Sequence, residues 1–519
     1  MAGGGVSVRT LLVVGTVACL LPLLSASEAA GPGTTRVSVA AGGAQANGHS
    51  LVPATSADGR FVAFYSEASN LVSEDTNGVR DVFVHDRGTG TTTRESVDGS
   101  GGQANGQSFS PTMSADGRFV AFYSHASNLV AGDTNGADDV FVRDRTSRTT
   151  ARVSVATGGT QANGGSYVPA LSADGRFVAF LSDASNLVAG DTNRVRDVFV
   201  HDRATGTTTR VDLAPDGQEA NVGSTGVAIS GDGRFVAFAS FASNLVVLDE
   251  NEGSDIFVHD RAAATTERVN VYDPVTEAEG DSFRPAISAD GRFVAFDSDA
   301  WNLVWGDLNI VADVFVHDRE TGATTRVSVD DRGAEGNGPS LAPTLSTDGR
   351  FVAFSSDASN VVAADTNGST DVFVHDRQSG ATTRISVDSA RVEANGDSSR
   401  AALSGDGRFV AFDSAATNLV QGDTNQLNDV FVREPAAEPP PHPPPPPPAR
   451  PVRCVVPRVI GLRLAQARAR IVAANCRVGR VRRARSRLVG RVLAQSPRAG
   501  LRFSRGTRVN LVVGRRKLR

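Results

Sequence analysis

The chain has 519 residues, of which 40% are hydrophobic, so it can form more than one domain with a substantial core. Its formal net charge of −5 hides an asymmetry: residues 450–519 contain 20 arginines, Lys517 and no acidic residue, whereas the rest contains 31 basic and 57 acidic side chains. An acidic body with a basic C-terminal region predicts an anionic partner for that region. Beyond residue 30 no apolar segment is long enough to span a bilayer, which excludes a transmembrane helix there.

Residues 1–30 are predicted to be a signal peptide. Arg9 supplies a positive charge, residues 11–24 form an apolar run too short for a comfortable membrane span, and small residues follow. We expect cleavage between about residues 27 and 31. The mature protein is therefore expected to be secreted or located in the cell envelope.

One repeat dominates residues 34–434. Apolar residues alternate within each unit, which predicts strands and excludes a helical solenoid. In the first unit the predicted strands cover residues 50–56, 60–66, 81–86 and 92–97, with a long polar loop at 67–80. Four short antiparallel strands per unit are typical of a propeller blade, so the sequence predicts an all-β, seven-bladed propeller. The string Asp-Gly-Arg-Phe-Val-Ala-Phe recurs every 58 residues, beginning at Asp58, Asp116, Asp174, Asp232, Asp290, Asp348 and Asp406.

The fourth-strand motif predicts how the propeller closes. Thr-Thr-Arg-Val-Ser-Val, or a close variant, first occurs at residues 34–39, before the first complete unit, and the last unit has no copy after its third strand. An open array would leave an unpaired strand at each end. We therefore expect residues 34–39 to form the outer strand of blade seven.

The repeat Ser-Ala-Asp-Gly-Arg-Phe-Val-Ala-Phe-x-Ser resembles the Ser-Pro-Asp-Gly-(Arg/Lys)-x-Ile-Ala-Phe-x-Ser repeat of TolB-type, WD-repeat-like propellers, with Ala57, Ala115 or Gly231 in the proline position. The resemblance implies the fold. It implies no single function, because such propellers include periplasmic scaffolds and domains that gate serine peptidases.

The sequence favours a non-catalytic binding or scaffold protein. It contains no Gly-x-Ser-x-Gly motif. Its histidines recur at one repeat position, whereas a catalytic base is normally unique. The alternative is a glycan-cleaving or sialidase-type enzyme, because the aspartate turn is similar to the Asp-box of sialidase propellers. The repeated histidines are His85, His201, His259, His317 and His375, with Arg143 and Arg433 in the remaining blades.

The long loops carry Asp-x-Asn-x-x-x-Asp in all seven blades. Side-chain oxygens at short spacing are the ligands that Ca²⁺ requires, so these loops are candidate structural calcium sites. The alternative is an Asx turn that shapes the loop. No other cofactor is predicted. In the first three blades the candidate ligands are Asp75, Asn77, Asp81, Asp133, Asn135, Asp139, Asp191, Asn193 and Asp197.

The face of the disc that carries the long loops and the blade-to-blade connections is the candidate binding face, because binding residues favour long loops on a rigid scaffold. Blades four and five depart most from the repeat, with acidic segments at 249–252 and 273–281. The only two tryptophans, Trp301 and Trp305, lie in the long loop of blade five. Exposed Trp is enriched in binding hot spots, so we predict a ligand-binding role for both. The alternative is that Trp301 fills a gap between loops.

Residues 435–451 contain 11 prolines, which predicts an extended polyproline II spacer. Cys454 and Cys476 remain after signal cleavage, and an even pair in an exported chain predicts a disulfide; two separate buried thiols are the alternative.

Residues 452–515 resemble a PASTA domain, a small α+β module. The resemblance rests on Val456-Pro457-x-x-x-Gly461, on the helical spacing of Leu464, Ala467, Ile471 and Val472, and on Gly506-Thr507-x-Val509-x-Leu511-x-Val513-Gly514. It implies peptidoglycan binding, as in some members. We expect a cell-wall polymer or an envelope protein as partner, and a monomer. Nucleic acid is not expected, since Phe503 is the only aromatic residue of this domain.

Overall fold

The computed structural model describes residues 1, 3, 33–247, 249–273, 276–434, 454–503 and 507–516. The chain divides into two compact units, residues 1–438 and 439–519. The predicted cleavage region and almost all of the predicted signal peptide at 1–30 lie outside the described residues, as does the predicted proline-rich spacer at 435–451. Among the described residues, no helix has the length and apolar character needed to cross a bilayer.

The first unit contains seven four-stranded antiparallel sheets, which are the blades of the propeller. Strand β1 (Thr34–Arg36) precedes blade one. Blades one to three are β2 (Ser50–Thr55), β3 (Phe61–Ser66), β4 (Asp81–Asp86) and β5 (Thr91–Arg94); β6 (Ser108–Met113), β7 (Phe119–Ser124), β8 (Asp139–Asp144) and β9 (Thr149–Arg152); and β10 (Ser166–Leu171), β11 (Phe177–Ser182), β12 (Asp197–Asp202) and β13 (Thr207–Arg210).

Blades four to seven repeat this order, with one added hairpin after blade four and with β1 completing blade seven. Their strands are β14 (Ser224–Ile229), β15 (Phe235–Ser240), β16 (Asp255–Asp260) and β17 (Thr265–Arg268); the hairpin β18 (Val271–Asp273) and β19 (Thr276–Glu277); β20 (Ser282–Ile287), β21 (Phe293–Ser298), β22 (Asp313–Asp318) and β23 (Ala323–Arg326); β24 (Ser340–Leu345), β25 (Phe351–Ser356), β26 (Asp371–Asp376) and β27 (Ala381–Arg384); and β28 (Ser398–Leu403), β29 (Val410–Ser414) and β30 (Asp429–Arg433).

The core lies between neighbouring blades. The second and third strands of each blade are buried on both faces, which explains their continuous apolar runs. Between blades one and two, for example, Val82 and Val84 pack with Val120 and Phe122 in one cluster. Burying a side chain of this size contributes about 1.5–3 kcal/mol. Each blade therefore depends on its neighbour for its core.

The structure confirms the predicted closure through β1. Thr34 pairs with Arg433, and Arg36 pairs with Phe431, so that β1 is the outer strand of blade seven. The Thr34 hydroxyl also donates to the Val387 carbonyl of blade six, at 2.5 Å. This contact completes a ring of hydrogen bonds. In every blade an outer-strand threonine donates to a backbone carbonyl in the segment that follows the outer strand of the preceding blade. The other six donors are Thr92, Thr150, Thr208, Thr266, Thr324 and Thr382.

A second ring of hydrogen bonds surrounds the central axis at the turns after the first strands. In each turn one backbone N–H donates to the carbonyl of the equivalent residue in the next blade, at 2.8–2.9 Å. The seventh bond runs from Gly405 back to Ala57, which closes the ring. The members are Ala57, Ala115, Ala173, Gly231, Ala289, Thr347 and Gly405.

The same turns explain the invariant Asp-Gly-Arg-Phe string. Gly59 has φ +67°, and a Cβ there would clash with the ring of Phe409 in the preceding blade. That ring lies 4.3 Å from the guanidinium carbon of Arg87, which belongs to blade one. Arg60 forms a bidentate ion pair with Asp86, at 2.8 Å for both bonds. Each residue of the string therefore has a defined contact within or between blades.

The fourth strands end earlier than predicted. Strand β5 covers Thr91–Arg94 instead of 92–97, because the Ser96 hydroxyl replaces the backbone ladder: it accepts from the Val82 N–H and donates to Asp81 Oδ1. Strand β1 likewise ends at Arg36 rather than at residue 39.

The second unit is a small α+β domain. Its elements are β31 (Cys454–Val455), α1 (Leu464–Ala473), β32 (Arg477–Arg485), β33 (Val492–Ser496), β34 (Arg502–Phe503) and β35 (Arg508–Arg515), with β35 between β32 and β33 in one sheet. The predicted disulfide between Cys454 and Cys476 is confirmed, and it ties β31 to the end of α1. Ala467 and Ile471 are buried in line with the predicted amphipathic helix, but Val472 is exposed because it lies about 100° around the helix from Ile471 and outside the buried stripe. Strand β32 was not predicted, since its arginines obscure the alternation.

Deleting residues 33–39 is expected to destabilise the whole propeller. The deletion removes the β1–β30 pairing and the Thr34 bond, each hydrogen bond contributing about 1 kcal/mol, and leaves β30 as an unpaired edge. We expect the melting temperature to fall by about 5 °C or more, with aggregation on heating. Deleting residues 439–519 serves as the control, because that segment belongs to the other compact unit. A residue 33–39 deletion that melts like the full chain would contradict a closed ring.

Candidate functional site

Each long loop on the candidate binding face is organised around an arginine of the outer strand. In blade one, Arg94 lies 3.1 Å from Asp75 and 3.5 Å from Asp81. In blade seven the arginine is Arg36 of β1, which contacts Asp423 and Asp429. The guanidinium thus supplies the positive charge between the two predicted calcium-ligating carboxylates of every blade, the other arginines being Arg152, Arg210, Arg268, Arg326 and Arg384.

The asparagine of the motif forms the Asx turn that the sequence analysis gave as the alternative. Asn77 Oδ1 accepts from the Val79 N–H at 3.3 Å, and its amide nitrogen donates to Asp81 Oδ2 at 2.7 Å. Asn135 and Asn193 repeat both contacts, with Asp139 and Asp197 as acceptors. The side-chain amide nitrogen of the motif's asparagine therefore donates a hydrogen bond to the second aspartate of the motif. Calcium binding at these loops stays a prediction.

Blades three to six each place two aspartates and one glutamate around the outer-strand arginine. Among the described residues, the three carboxylates of blade five are the group close enough together to share a metal ion. Carboxylate oxygens of Asp307, Asp313 and Glu335 lie within 4.8 Å of one another, and Arg326 contacts all three at 2.8–3.2 Å. Burial, reinforced by the charge of Asp313, raises the pKa of Asp307 to about 6.

The repeated histidines have a structural role. His85 Nδ1 lies 2.9 Å from Thr92 Oγ1, and that hydroxyl donates to the Val39 carbonyl, so Nδ1 carries the proton and donates to the hydroxyl. Arg143 and Arg433 make the same contact with their threonines in the two blades that lack the histidine. Burial lowers the pKa of all five histidines, which keeps them neutral.

The predicted ligand-binding tryptophans are exposed. Trp301 is 56% exposed and Trp305 is 92% exposed, both between β21 and β22. In six of the seven blades the residue equivalent to Trp301 is Ser or Thr, which accepts a bond from an asparagine of the preceding connection. Their ligand-binding role stays a prediction.

A row of aromatic side chains, which the sequence analysis did not single out, crosses blades one to three. Ring centroids are 5.7 Å apart for Tyr65 and Phe109, 5.2 Å for Phe109 and Tyr123, and 5.9 Å for Tyr123 and Tyr167. The guanidinium carbon of Arg196 lies 4.7 Å from the Tyr167 centroid, a favourable cation–π distance. The available signal was variation at two repeat positions. The position of Tyr65 and Tyr123 is occupied in the other blades by Leu181, Ala239, Asp297, Ser355 and Asp413, and the position of Phe109 and Tyr167 by Leu51, Thr225, Phe283, Leu341 and Ser399.

The repeat position of Tyr65 and Tyr123 provides two buried carboxylates in blades five and seven. Asp297 contacts Arg284 at 2.8 Å and accepts from the Ala342 N–H of blade six. Asp413 is linked in the same way to Arg400 and to the backbone of blade one. Burial raises the pKa of Asp297 to about 6. The inner part of the propeller is therefore aromatic across blades one to three and charged at blades five and seven.

Arg284 and Arg400 lie at a backbone position of the first strand of their blades that has a strained conformation. Arg284 has φ +50° and Arg400 has φ +51°, beside an irregularity in the pairing of the first and second strands. All seven blades share this conformation, and six of them without glycine. Such backbone is costly unless the surrounding structure enforces it. Here the seven-fold packing of the inner strands enforces it.

The α+β domain carries an arginine-rich groove of about 890 Å³ on its three-stranded sheet. Val509, Leu511 and Val513 of β35 point into the core, so the alternate residues Arg508 and Asn510 face the groove. The other polar side chains of its lining are Arg480, Arg482, Gln495 and Ser496. No acidic residue exists in residues 450–519 to neutralise these arginines.

A family model described as "PASTA domain" matches residues 455–515. These residues form a PASTA domain. The match agrees with the helix on a small sheet that this segment forms. No curated protein matches the chain.

Several solved structures show a distant likeness to this chain. They include an oligogalacturonate lyase in complex with manganese (14% identity, TM-score 0.47, 77% of this chain and 92% of that chain covered). TolB from Acinetobacter baumannii has 14% identity and a TM-score of 0.36, with 73% and 81% covered. The β-propeller domain of the Trilobed protease from Pyrococcus furiosus has 11% identity and a TM-score of 0.45, with 74% and 95% covered. These likenesses concern the fold, and no activity or ligand is taken from them.

Replacing Arg326 by Met tests the calcium prediction. The variant leaves three clustered carboxylates without their cation, so we expect Ca²⁺ to raise its melting temperature more than that of the wild type. Arg94→Met is the matched control, because Gln103 takes the place of Glu335 in blade one, and a smaller shift is expected. Melting temperatures that do not respond to calcium or chelator in any of the three proteins would remove calcium from these loops.

Buried carboxyl groups and buried histidines contribute to stability with opposite signs between pH 7 and pH 4. The unfolded chain has an ordinary aspartate pKa near 4 and an ordinary histidine pKa of about 6.5. Since burial raises the pKa of Asp297 and that of Asp307 to about 6, these two groups add stability as pH falls from 6 to 4. The five repeated histidines, whose pKa is lowered by burial, act in the opposite direction and remove stability as pH falls below about 6.5. Below pH 4 the opposite sign applies to Asp86, whose pKa is held at about 2 by Arg60, so stability is lost as that carboxylate is protonated.

Thermal melts from pH 7 to pH 2 measure this profile. The difference in melting temperature between the wild type and the Asp297→Asn variant isolates this carboxyl group: it should change in favour of the wild type as pH falls from 6 to 4, because only the wild type takes up the Asp297 proton. A difference that stays constant between pH 6 and pH 4 would contradict the assignment.

Proposed function

We propose that this protein is an extracytoplasmic, non-catalytic binding protein. In this proposal the PASTA domain anchors the chain to an anionic cell-wall polymer, such as peptidoglycan or an associated acidic polymer, and the propeller is the recognition head. The PASTA match at residues 455–515 and the disulfide support a location outside the cytoplasm, where disulfides persist.

The observation that carries the anchor is the arginine groove. Arg480, Arg482 and Arg508 are exposed, and within the described part of this domain no carboxylate pairs with them. Guanidinium groups bind carboxylates and phosphates through paired N–H donors. Asn510 and Ser496 add neutral hydrogen-bonding groups to the same groove. A polymer with regularly spaced anionic and polar groups fits this lining.

The non-catalytic assignment is supported by the roles of the repeated polar residues. The five repeated histidines are occupied in the threonine contacts, and the aspartates of the long loops are occupied by arginines. Residues that recur at the same position from blade to blade are therefore assigned to the structure of the propeller. The propeller then contributes a rigid surface whose irregular loops recognise a partner.

Binding of the full chain to purified cell-wall sacculi tests the anchor. The triple variant Arg480→Gln, Arg482→Gln, Arg508→Gln should lose most of the binding, since three guanidinium contacts are removed together. The matched control is Arg468→Gln, Arg487→Gln, Arg498→Gln, which removes the same charge from exposed positions outside the groove lining. The control should retain most of its binding.

Two outcomes would contradict the proposal. Equal losses in both triple variants would indicate diffuse electrostatic attraction instead of a groove. Retention of the wild type that does not change between low and high salt would exclude an ionic anchor, because the screening length is already about 10 Å at 0.1 M salt.

A further inference from the structure

The long loop of blade five differs from the other six at four positions that lie on its surface. We call Trp301, Trp305, Leu308 and Ile310 the blade-five ridge. Their exposed fractions are 56%, 92%, 77% and 87%. The equivalents elsewhere are mostly small or polar: Ser69, Ser127, Ser185, Ser243, Ser359 and Thr417; Ser73, Ala131, Ala189, Val247, Ala363 and Gln421; Thr76, Thr134, Thr192, Glu250, Thr366 and Thr424; and Gly78, Gly136, Arg194, Glu252, Gly368 and Gln426.

Two ridge residues, Trp301 and Leu308, take the place of residues whose hydroxyl groups form hydrogen bonds in the other loops. Asn47 Nδ2 donates to Ser69 Oγ at 3.0 Å in blade one, whereas blade five has Glu279 and Trp301 at these positions. The hydroxyl of Thr76 likewise accepts from Gln103, and Leu308 has no hydroxyl for such a bond. Blade five therefore lacks two polar contacts of the repeat and exposes apolar side chains in their place.

Ile310 adds backbone strain to the same loop. It has φ +57°, at the position where Gly78 has φ +68°. A β-branched residue is rarely found in this left-handed region, because its Cβ crowds the following carbonyl. The positive φ recurs at this position in every blade, including Arg194, Glu252 and Gln426, so what distinguishes blade five is the exposed β-branched side chain placed there.

Acidic side chains without ion pairs lie in the segments next to the Trp301 end of the ridge, where the Glu279 N–H donates to Asn302 Oδ1. Glu250 and Glu252 of the blade-four loop and Glu279 of the connection are exposed, and none forms an ion pair with the described residues. These segments are adjacent: the Glu250 N–H donates to the Glu277 side chain, and Asn302 donates to the Glu277 carbonyl. Val247, which is 82% exposed, lies in the same blade-four loop.

We propose that the blade-five ridge docks a cationic, apolar polypeptide segment of a partner protein. The proposal rests on the proposed function, in which the propeller is the recognition head, and it names the chemistry of the partner. Apolar side chains of the segment cover the ridge, and its Lys or Arg side chains pair with the carboxylates of Glu250, Glu252 and Glu279.

The aliphatic residues favour a polypeptide over a glycan. Tryptophan stacks on sugar rings as well as on side chains, but Leu308, Ile310 and Val247 offer no planar face and no hydrogen bond to a sugar hydroxyl. Large apolar patches with a polar rim are typical of protein–protein contacts. Opposite charges at the rim increase the association rate and select against acidic partners.

Tryptophan fluorescence of the full chain provides a selective test, because Trp301 and Trp305 are the only tryptophans. The probe is a synthetic amphipathic peptide of Leu and Lys, compared with a peptide of Leu and Glu in the same pattern and with a chito-oligosaccharide. We expect only the Leu–Lys peptide to shift the emission to shorter wavelength, with saturation.

Variants built from the repeat itself separate binding from folding. Trp305→Ala, which keeps Trp301 as reporter, should weaken peptide binding about tenfold or more. The quadruple variant Trp301→Ser, Trp305→Ala, Leu308→Thr, Ile310→Gly, measured by calorimetry, should abolish binding. Its melting temperature should equal or exceed that of the wild type, because glycine accepts the positive φ without strain. Val392→Ser, which removes an apolar side chain that is 54% exposed in another connection, is the control and should bind normally.

The contribution of the acidic side chains is tested with the triple variant Glu250→Gln, Glu252→Gln, Glu279→Gln, which should also weaken peptide binding.

Equal binding of the Leu–Lys and Leu–Glu peptides would overturn the proposal, as would a quadruple variant that binds like the wild type. An emission change with the chito-oligosaccharide alone would assign the ridge to a glycan instead. Binding to sacculi is measured separately with the groove variants, so failure here leaves the wall anchor standing, and the reverse also holds.

Discussion

Each blade is held to its neighbours by the same set of directional contacts, and only a closed ring satisfies that set for every blade. The inner ring runs through backbone groups from Ala57 around to Gly405 and back. The outer ring runs through threonine hydroxyls, and its last bond needs Thr34 from the N-terminal strand. Because the core lies between blades, an open array would expose apolar surface and unpaired strand edges together. An insertion within the core strands would break both rings, which agrees with the nearly constant strand lengths from blade to blade.

The sequence predicted the parts of the fold that depend on repetition. Seven copies of one string, an alternating pattern and an early copy of the fourth-strand motif were enough for the strands, the blade number and the closure. The ends of the outer strands could not be predicted, because Ser96 stops the ladder through its side chain, and alternation does not reveal that. Strand β32 was missed since five arginines among nine residues conceal its pattern. The disulfide was predicted from the number of cysteines and the inferred export.

Site residues were harder to predict because their partners are distant in the sequence. The motif Asp75, Asn77, Asp81 suggests a cation, but it does not reveal that Arg94, on the next strand, supplies a positive charge to both carboxylates. The aromatic row was hidden because each tyrosine, taken alone, is an ordinary strand residue. Comparing the blades position by position identifies both this row and the blade-five ridge. In a repeat protein the regular residues build the scaffold, and departures from the repeat mark the surfaces that differ in purpose.

Arginine has opposite roles in the two modules. In the propeller, arginines at repeated positions are neutralised by nearby carboxylates, as in the Arg60–Asp86 pair and at Arg94. Those charges serve the fold and leave little free positive potential. The PASTA domain has no acidic residue at all, so Arg480, Arg482 and Arg508 remain available in its groove. An arginine-rich composition shared by the whole chain would explain the number of these residues in both modules. It does not explain the complete absence of carboxylates from one of them, and that absence, which leaves the arginines of the groove without counter-charges, is the basis of the proposed anionic ligand.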